Sequence, residues 1–557
     1  FLSEFYLTKI IDGKVLLQDK IKYVAGDYAN YAPSDKKGND FRKSYFDLLT
    51  EWAESPQAHP KIRAIYEYQK QNRLLKDLID IGEITLADNG QLNDKDKNLY
   101  VRFNVDDENP KSLPIWQDQS VFQSWIDFYA TKLRVEQPVD VDYLSGKEVP
   151  TTKLNEKNIN PATSGAKLIS ANDSANFTYR GIFHDDDFYS VGYDSSQKMA
   201  HALKWLIQRQ GLKSDTRVFV FWTDEPEENQ KVADASSAMY SGSSLLQSIA
   251  GTAKKEVKPD TGKEAAGSYN SRLLGIVSSL DVKGTVHAMF LDAATTGRMA
   301  TVYYNSMVGG TFKSNLETWG NNCGIWVNQQ TIWTPSARGL IRSAYTNGHG
   351  GQRADVIQKR ALSQLIISII NGKPISEDLL RALYRKLTHP QGYESLKQWQ
   401  RDLFNYAAAY HYNSHLKGEG TMKLNQSETD RSYLFGRLLA IADRVEESAV
   451  YRKQQRNSSV SERLTTAYRF MTNFAEQPGS TWKRIYLSVV RSYLGTLSGA
   501  SQAYYKKQVV EILDLLDDGN TDEPLDMKFL TGFAQQQIYD QTQGSKKSDT
   551  NKELQEG

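Results

Sequence analysis

Thr285-Val286-His287-Ala288-Met289-Phe290-Leu291 and Met299-Ala300-Thr301-Val302-Tyr303-Tyr304 are two β-branched, aromatic runs joined by Asp292-Ala293-Ala294-Thr295-Thr296-Gly297-Arg298. Such runs read as paired strands, with Gly297 supplying the positive φ of a hairpin connection and Arg298 at its exposed end. Working outward, Asn98–Val105 and Thr216–Thr223 have the same strand character. Ser195–Gln210 instead has helical spacing, with Met199, Leu203, Leu206 and Ile207 on one side. The first half is therefore expected to be sheets packed against helices. The polar stretches Pro150–Gly165 and Glu225–Gly267 read as long loops or insertions.

From Ala354 onward the pattern turns helical. Asn371-Gly372-Lys373-Pro374 is a stop, and Ser376 is placed to cap the next helix. Ser427-x-x-Asp430 and Ser459-x-x-Glu462 resemble capping boxes. After the first, Leu434, Leu438, Ile441, Val445 and Ala449 fall on one apolar face. Pro478-Gly479-Ser480 and Ser498-Gly499-Ala500 punctuate further helices, so Asp430–Tyr539 reads as a bundle of four or five. The expected class is α+β: a mixed α/β region over 1–353, a helical connection over 354–421, a bundle over 422–541 and a disordered polar tail over 542–557.

The chain has 557 residues, enough for two or three cores, and no apolar run approaches the ~18 residues that cross a bilayer. Its one cysteine, Cys323, rules out an intrachain disulfide and a cysteine-based zinc site within the chain, which suits a cytoplasmic location. The chain opens Phe1-Leu2-Ser3 with neither methionine nor a basic-then-apolar leader, so a missing start is expected rather than a secretory signal. The net charge of +1 hides local segregation: Arg431–Lys507 holds 13 Lys+Arg against 5 Asp+Glu, whereas Gln508–Asp526 holds 7 acids and no Lys or Arg. A basic surface beside an acidic strip can bind a phosphate backbone on one side and repel it on the other, although solvated helix faces explain the same charges.

Catalytic patterns are sparse. Ser195-Ser196-Gln197-Lys198 matches S-x-x-K but lacks the accompanying K-T-G, so Ser195 reads as a helix-start residue. His411 and His415 have metal-sharing spacing without the glutamate of H-E-x-x-H and read as a polar helix face. His184-Asp185-Asp186-Asp187 reads as an acidic loop, and Gly348–Arg353 as a linker. No phosphate loop, nucleophile elbow or dinucleotide fingerprint occurs, and no cofactor or metal is expected. Lys36-Lys37-Gly38-Asn39-Asp40-Phe41-Arg42-Lys43 groups four cations and an amide in an expected loop, where cations hold phosphates and Asn meets a base edge. Arg452, Lys453, Arg456, Lys483, Arg484, Lys506 and Lys507 lie among Tyr451, Trp482, Tyr504 and Tyr505, a composition suited to a single strand with exposed bases. The same aromatics serve equally as core or rim residues.

Val286–Ala300 followed by Tyr303-Tyr304 resembles the central signature of the type I-C CRISPR (Cascade) large subunits. Asp19–Gly26 is similar to that family's early D-x-x-x-Y-x-x-G segment, and Ile169–Asn172 with Phe177–Gly181 to its serine-tyrosine-glycine block. Tyr433–Ala440, Ser480-Thr481-Trp482, Phe529–Phe533 and Gln535-Gln536-Gln537 come next in family order. The chain departs from the family in a short segment before Asp19 and in Thr178 or Arg180, where small residues are usual. The resemblance implies a non-enzymatic protein that joins a guide-RNA complex, contacts the protospacer-adjacent motif in double-stranded target DNA, helps open the duplex and stabilise the R-loop, and supports recruitment of a helicase-nuclease for antiviral defence. Implied partners are CRISPR RNA, the target duplex and its displaced strand, Cascade backbone and small subunits, and the helicase-nuclease, with no membrane. Motif reading is expected of Lys20, Lys22, Lys36, Lys37, Asn39 and Arg42, then Asn172, Tyr179 and Arg180. The displaced strand is expected on Arg452, Lys453, Arg456, Lys483, Arg484, Lys506 and Lys507. Met422 is placed to start a separate small subunit resembling the bundle. The competing readings are a serine or metal-dependent hydrolase and a purely structural helical scaffold.

Overall fold

The computed structural model describes residues 18–106, 112–152, 155–169, 190–241, 262–293, 295–328, 331–345, 352–454, 464–517 and 521–553; at 18, 36–41, 262–267, 352–354, 451–454 and 544–553 it describes the backbone alone. The fold is mixed α+β and divides into two compact units. The first takes in the described residues up to 205 and 295–299, and the second the described residues of 206–294 and 300–553.

In the first unit the elements are β1 (Gln18–Lys20), α1 (Ile21–Val24), α2 (Tyr28–Tyr31), α3 (Lys36–Glu54), α4 (Pro60–Gln69), α5 (Leu74–Asp80), β2 (Tyr100–Arg102), α6 (Gln119–Glu136), β3 (Val139–Val141) and β4 (Glu148–Pro150). The expected basic loop at Lys36–Lys43 is instead the start of α3: Tyr45, Leu48, Leu49 and Trp52 recur at helical spacing and bury one face. Trp52 meets Trp125 of α6 edge-on at 5.0 Å, and its indole N–H donates to Ser124 Oγ at 3.1 Å. Asp27 accepts from the backbone N–H groups of Leu75 and Lys76 at 3.0 and 2.8 Å, so a side chain from a distant turn satisfies the first donors of α5. Next to it a Cβ on Gly26 would meet the Asn72 amide and the Arg42 guanidinium, side-chain ends that would have to move.

Helix α7 (Tyr193–Gln210) leads into the second unit. There β5 (Leu212–Ser214), β6 (Arg217–Thr223), α8 (Asn229–Ser241), α9 (Gly262–Ser278), β7 (Thr285–Asp292), β8 (Ala300–Val308) and α10 (Gly309–Asn322) build an antiparallel sheet of order β5-β6-β7-β8, with α8, α9 and α10 packed on its Phe219–Phe221 face. Phe219, Phe221, Ala288 and Phe290 share a buried core with Val232 and Met239 of α8 and with Phe312, Leu316 and Trp319 of α10. The expected hairpin is present, with a register shift at Phe290/Leu291, and Arg298 is exposed. Gly297 does not take a positive φ: its carbonyl accepts from Lys167 N–H, and Arg298 bridges Lys167 in parallel, after a bend at 295–297. The expected loop over Glu225–Gly267 contains α8, whose small buried residues Ala233, Ala235, Ser236, Ser237 and Ala238 mimic a polar linker in composition but permit close helix packing.

The helical part comprises a two-strand clip of β9 (Ile325–Trp326) and β10 (Ile332–Trp333), then α11 (Ala337–Tyr345), α12 (Gln352–Ile370), α13 (Glu377–Leu387), α14 (Leu396–Leu416), α15 (Arg431–Gln454), α16 (Thr466–Glu476), α17 (Pro478–Ile485), a π-helical turn at Tyr486–Val490, α18 (Arg491–Leu494), α19 (Gly499–Leu516) and α20 (Lys528–Glu553). Gly372 at φ +60° ends α12, and Ser376 Oγ caps α13, as read from the sequence. For α15 the cap is Asp430 alone, whose Oδ1 accepts from Tyr433 N–H at 2.9 Å; Ser427 donates to Asn425 instead, so the capping box is not formed. Ser459 and Glu462 lie outside the described residues, as does the acidic run His184–Asp187. Helix α20 continues through Glu553, into the stretch assigned to a disordered tail. No described helix is long and apolar enough to cross a membrane.

Parallel to α15, α20 is buried around nearly its whole circumference from Phe529 to Ile538. The two helices touch backbone to backbone. A Cβ on Gly436 would sit 2.1 Å from the Phe529 carbonyl oxygen, and one on Gly532 would sit 2.2 Å from that of Tyr433. Beyond the crossing, the consecutive Gln535, Gln536 and Gln537 point in three directions about 100° apart. Gln535 donates to the Thr421 carbonyl, Gln536 bonds Arg437 and Gln508, and Gln537 donates to Asp443 Oδ2 at 2.7 Å. Asp443 also accepts from Thr465 Oγ1 at 2.6 Å, while Glu446, one turn on, accepts from Thr466 N–H and so caps α16. Burial pushes the Asp443 carboxyl up to about 7 despite those two donors.

Gly436→Ala is expected to lower stability by about 2–3 kcal/mol, since overpacking against backbone has no side chain to displace. Gly495→Ala, whose Cβ meets nothing within 4 Å, serves as the comparison; equal urea midpoints for the two variants would contradict the crossing. Because the folded-state pKa of Asp443 lies above its unfolded value, its contribution is fully present below about pH 4 and is lost as pH rises toward 7. Asp443→Asn should therefore match the wild-type urea midpoint at pH 4 and exceed it at pH 8, and an unchanged difference between those pH values would refute the assignment.

Candidate nucleic-acid interface

The cations singled out in the sequence separate into exposed and buried sets. In the first unit Lys20 ends β1 and Lys22 lies in α1, both half-buried; Lys22 Nζ sits 5.0 Å from the centroid of the Tyr23 ring. Lys36, Lys37 and Asn39 fall on the first turn and a half of α3, where only the backbone is described. Arg42, expected to hold phosphate, is a core residue: it is 9% exposed, lies 4.6 Å over the Phe46 ring, and reaches Gln69 Oε1 at 3.5 Å and Asn72 Oδ1 at 3.3 Å. Helical periodicity from Arg42 to Tyr45 and Leu49 turns that side chain inward. Asn172, Tyr179 and Arg180 lie outside the described residues.

A different polar cluster surfaces nearby. Asn72 takes φ +49° between α4 and α5 and is exposed, flanked by Lys70, Arg73 and Lys76. These cations are paired with Glu67, Asp77 and Asp80 respectively, at 3.2, 2.7 and 2.6 Å. Exposed pairs of this kind are weak and can be exchanged for phosphate contacts at little cost. The signal was legible as Lys70-Gln71-Asn72-Arg73, a turn-forming amide between two cations, but the Lys36–Lys43 run has the denser charge.

In the bundle, Lys483, Arg484, Arg491, Lys506 and Lys507 are all exposed. Arg484 lies 5.0 Å over the Phe470 ring, and Lys507 pairs loosely with Glu511 at 3.6 Å. Among the described residues Lys483, Arg491 and Lys506 form no ion pair. Lys506 and Lys507 stand on α19, whereas Lys483 and Arg484 stand on α17. Trp482 and Tyr505 are buried and Tyr504 donates to Asp540 at 2.9 Å, so these three are core and rim residues rather than stacking platforms. The aromatic at the surface is Tyr486, 40% exposed beside Leu487 at 59%, where the π-helical turn widens the helix between Arg484 and Arg491. Tyr451, Arg452 and Lys453 lie on the last turn of α15, where only the backbone is described, and Arg456 lies outside the described residues.

The candidate hydrolytic groups are used otherwise. Ser195 Oγ donates to Asp142 at 2.7 Å, and Lys198 Nζ is paired with Asp194 at 2.6 Å. Asp142 also accepts from Gly192 N–H and from Ser145, and these donors hold its carboxyl far below the usual range against the opposing effect of desolvation. His411 is buried, not part of a polar face; its Nδ1 lies 2.7 Å from the Asn322 carbonyl oxygen and burial lowers its pKa. Among the described residues no group of three His, Cys, Asp or Glu side chains is placed to hold a metal.

No curated protein matches the sequence. The family model of the CRISPR-associated protein Cas_Csd1 does, over residues 12–539, a span that takes in the Gly26 turn, the β7–β8 hairpin, the Gly436–Gly532 crossing and the basic helices. The chain belongs to that family of CRISPR-associated proteins.

Proposed function

We propose that the chain is the large subunit of a type I-C Cascade complex, a non-catalytic, cytoplasmic protein that reads the protospacer-adjacent motif in duplex DNA, helps open it and holds the displaced strand. The observation that carries this reading is the set of exposed cations beside Tyr486 and Leu487 on a bundle of a CRISPR-associated family. Cations with a surface aromatic suit a single strand, because phosphates and unpaired bases are then both satisfied. On the motif side, Lys20 and Lys22, the first turns of α3 with Lys36, Lys37 and Asn39, and the exposed Asn72 are the proposed contacts, with Asn72 taking the place of Arg42. Guide RNA supplies the sequence specificity, and a helicase-nuclease docks on the assembled complex.

Charge reversal at Lys483, Arg484, Lys506 and Lys507 in the assembled complex is expected to weaken target-duplex binding ten- to hundredfold. It should also reduce the slope of log affinity against log salt by about 0.7 for each phosphate no longer neutralised. Fluorescence anisotropy over a salt series reads both quantities, and an unaltered slope would reject the displaced-strand role.

We also propose that Met422 starts a separate small subunit. It lies in the connection between α14 and α15, so the product keeps both Gly436 and Gly532. In the full chain Trp399 of α14 caps that bundle, 4.8 Å from Tyr468 and 5.8 Å from Phe533, and the short product must cover this apolar face with a neighbour. Replacing the Met422 codon with leucine should abolish the short product on a denaturing gel; its persistence sinks the proposal.

A further inference from the structure

The main sheet ends on β8, whose nine residues Ala300–Val308 include no charge and no proline. Folded proteins usually blunt such an edge with charge, proline or short length, because its unpaired backbone groups template another strand. Among the described residues, the backbone of Ala300–Val308 makes no hydrogen bond except to β7. Its outward side chains Val302, Tyr304 and Val308 are 47%, 52% and 64% exposed.

On the face opposite Phe219 and Phe221, which is covered at Val218 and Val220 but exposed at Tyr304, Trp222, His287 and Tyr304 are arranged as tiles. Their centroids are 5.1, 6.2 and 6.4 Å apart, a near-equilateral triangle, and their planes differ by 18°, 15° and 32°. A column of stacked rings would place the outer two much farther apart. His287 Nδ1 lies 3.0 Å from Tyr304 Oη, which fixes the arrangement. The register sets Ser306 directly beside His287 and Val308 beside Thr285. The small Ser306 thus leaves a gap between Tyr304 and Val308 that leads from the open edge to the rings.

The charge at the end of that gap is negative. Asp224 comes directly after β6 and accepts from Thr285 N–H at 2.9 Å; this bond holds its carboxylate below the usual range, with His287 adding to the effect. Glu225 and Glu228 accept from the backbone N–H groups of Gly284 and Asp281, and Glu227 is exposed at the same corner. A phosphate is repelled here, whereas a guanidinium finds both ring faces and a carboxylate.

We propose that β8 is a docking edge for an extended segment of a partner protein, which adds as a fifth strand and passes an arginine over Ser306 onto the Trp222–His287–Tyr304 tiles, toward Asp224. Backbone pairing supplies affinity and the arginine sets register. None of the cations assigned to nucleic acid lies on β8, and the test does not depend on them.

The probe is a labelled, end-blocked peptide of alternating valine and threonine with a central arginine, titrated by anisotropy into the full chain. Saturable binding is expected, weakened at least tenfold by Ser306→Lys or by glutamate in place of the peptide arginine, and about threefold by Asp224→Asn. Hydrogen exchange should show β8 amides becoming protected when the peptide binds. Absence of binding, or equal binding by the glutamate peptide, overturns the proposal. So does self-association of the free chain that Ser306→Lys abolishes, because a second copy would then own the edge. Displacement of the peptide by a single-stranded oligonucleotide also overturns it, assigning the tiles to bases instead.

Discussion

The reciprocal contact of Gly436 with the Phe529 carbonyl and Gly532 with the Tyr433 carbonyl sets the spacing on which the second unit depends. At that distance α20 is surrounded, and the side chains from Phe529 to Ile538 are apolar or hydrogen-bonded apart from Thr531, whose buried hydroxyl has no partner among the described residues. Leu530, Phe533 and Ala534 meet the first condition, and the three glutamines meet the second. A larger residue at either glycine would separate the helices and leave those amides searching for partners. A buried polar network half satisfied is worse than none.

This constraint gives a physical meaning to segments that first stood out only as family resemblance. Tyr433–Ala440 and Phe529–Phe533 each carry one glycine of the crossing, Gln535–Gln537 form the polar layer beyond it, and Ser480-Thr481-Trp482 puts Trp482 into the core. Asp19–Gly26 ends where a Cβ would meet the Asn72 amide and the Arg42 guanidinium, side-chain ends that would have to move. At Gly436 and Gly532 these are packing constraints against backbone. The solvent-facing groups proposed to touch nucleic acid lie mostly outside the resembling blocks.

The parts of the fold legible in the sequence were those written in periodicity: the β7–β8 strands, α7, the Ser376 cap and the apolar face of α15. Misreadings arose where composition and periodicity disagree. Helix α8 is rich in alanine and serine, so it resembled a linker although its small side chains are buried. Arg42 sits in a run of cations, so charge density suggested a surface, but its place in the α3 repeat turns it inward over Phe46. The site was harder still. Asn72 becomes a candidate only because a left-handed turn presents it, and Trp222, His287 and Tyr304 lie on three strands whose register no single segment reveals.

The π-helical turn at Tyr486–Val490 joins the rigid axis to the outer charged surface. Inside the turn, Val489 and Val490 remain in the core with Ile485; outside it, Tyr486 and Leu487 are turned to solvent between Arg484 and Arg491. An ordinary helix would continue its 3.6-residue repeat through this stretch, while the extra residue of a π turn shifts the phase of the next helical residues. Two apolar side chains facing water are costly unless something covers them. A bundle whose interior is tied by glutamine to carboxylate and arginine has little freedom to swing those side chains inward. The exposure is therefore sustained by the core, and it leaves an apolar step among cations that hydrated phosphates alone would not require but an unpaired base would.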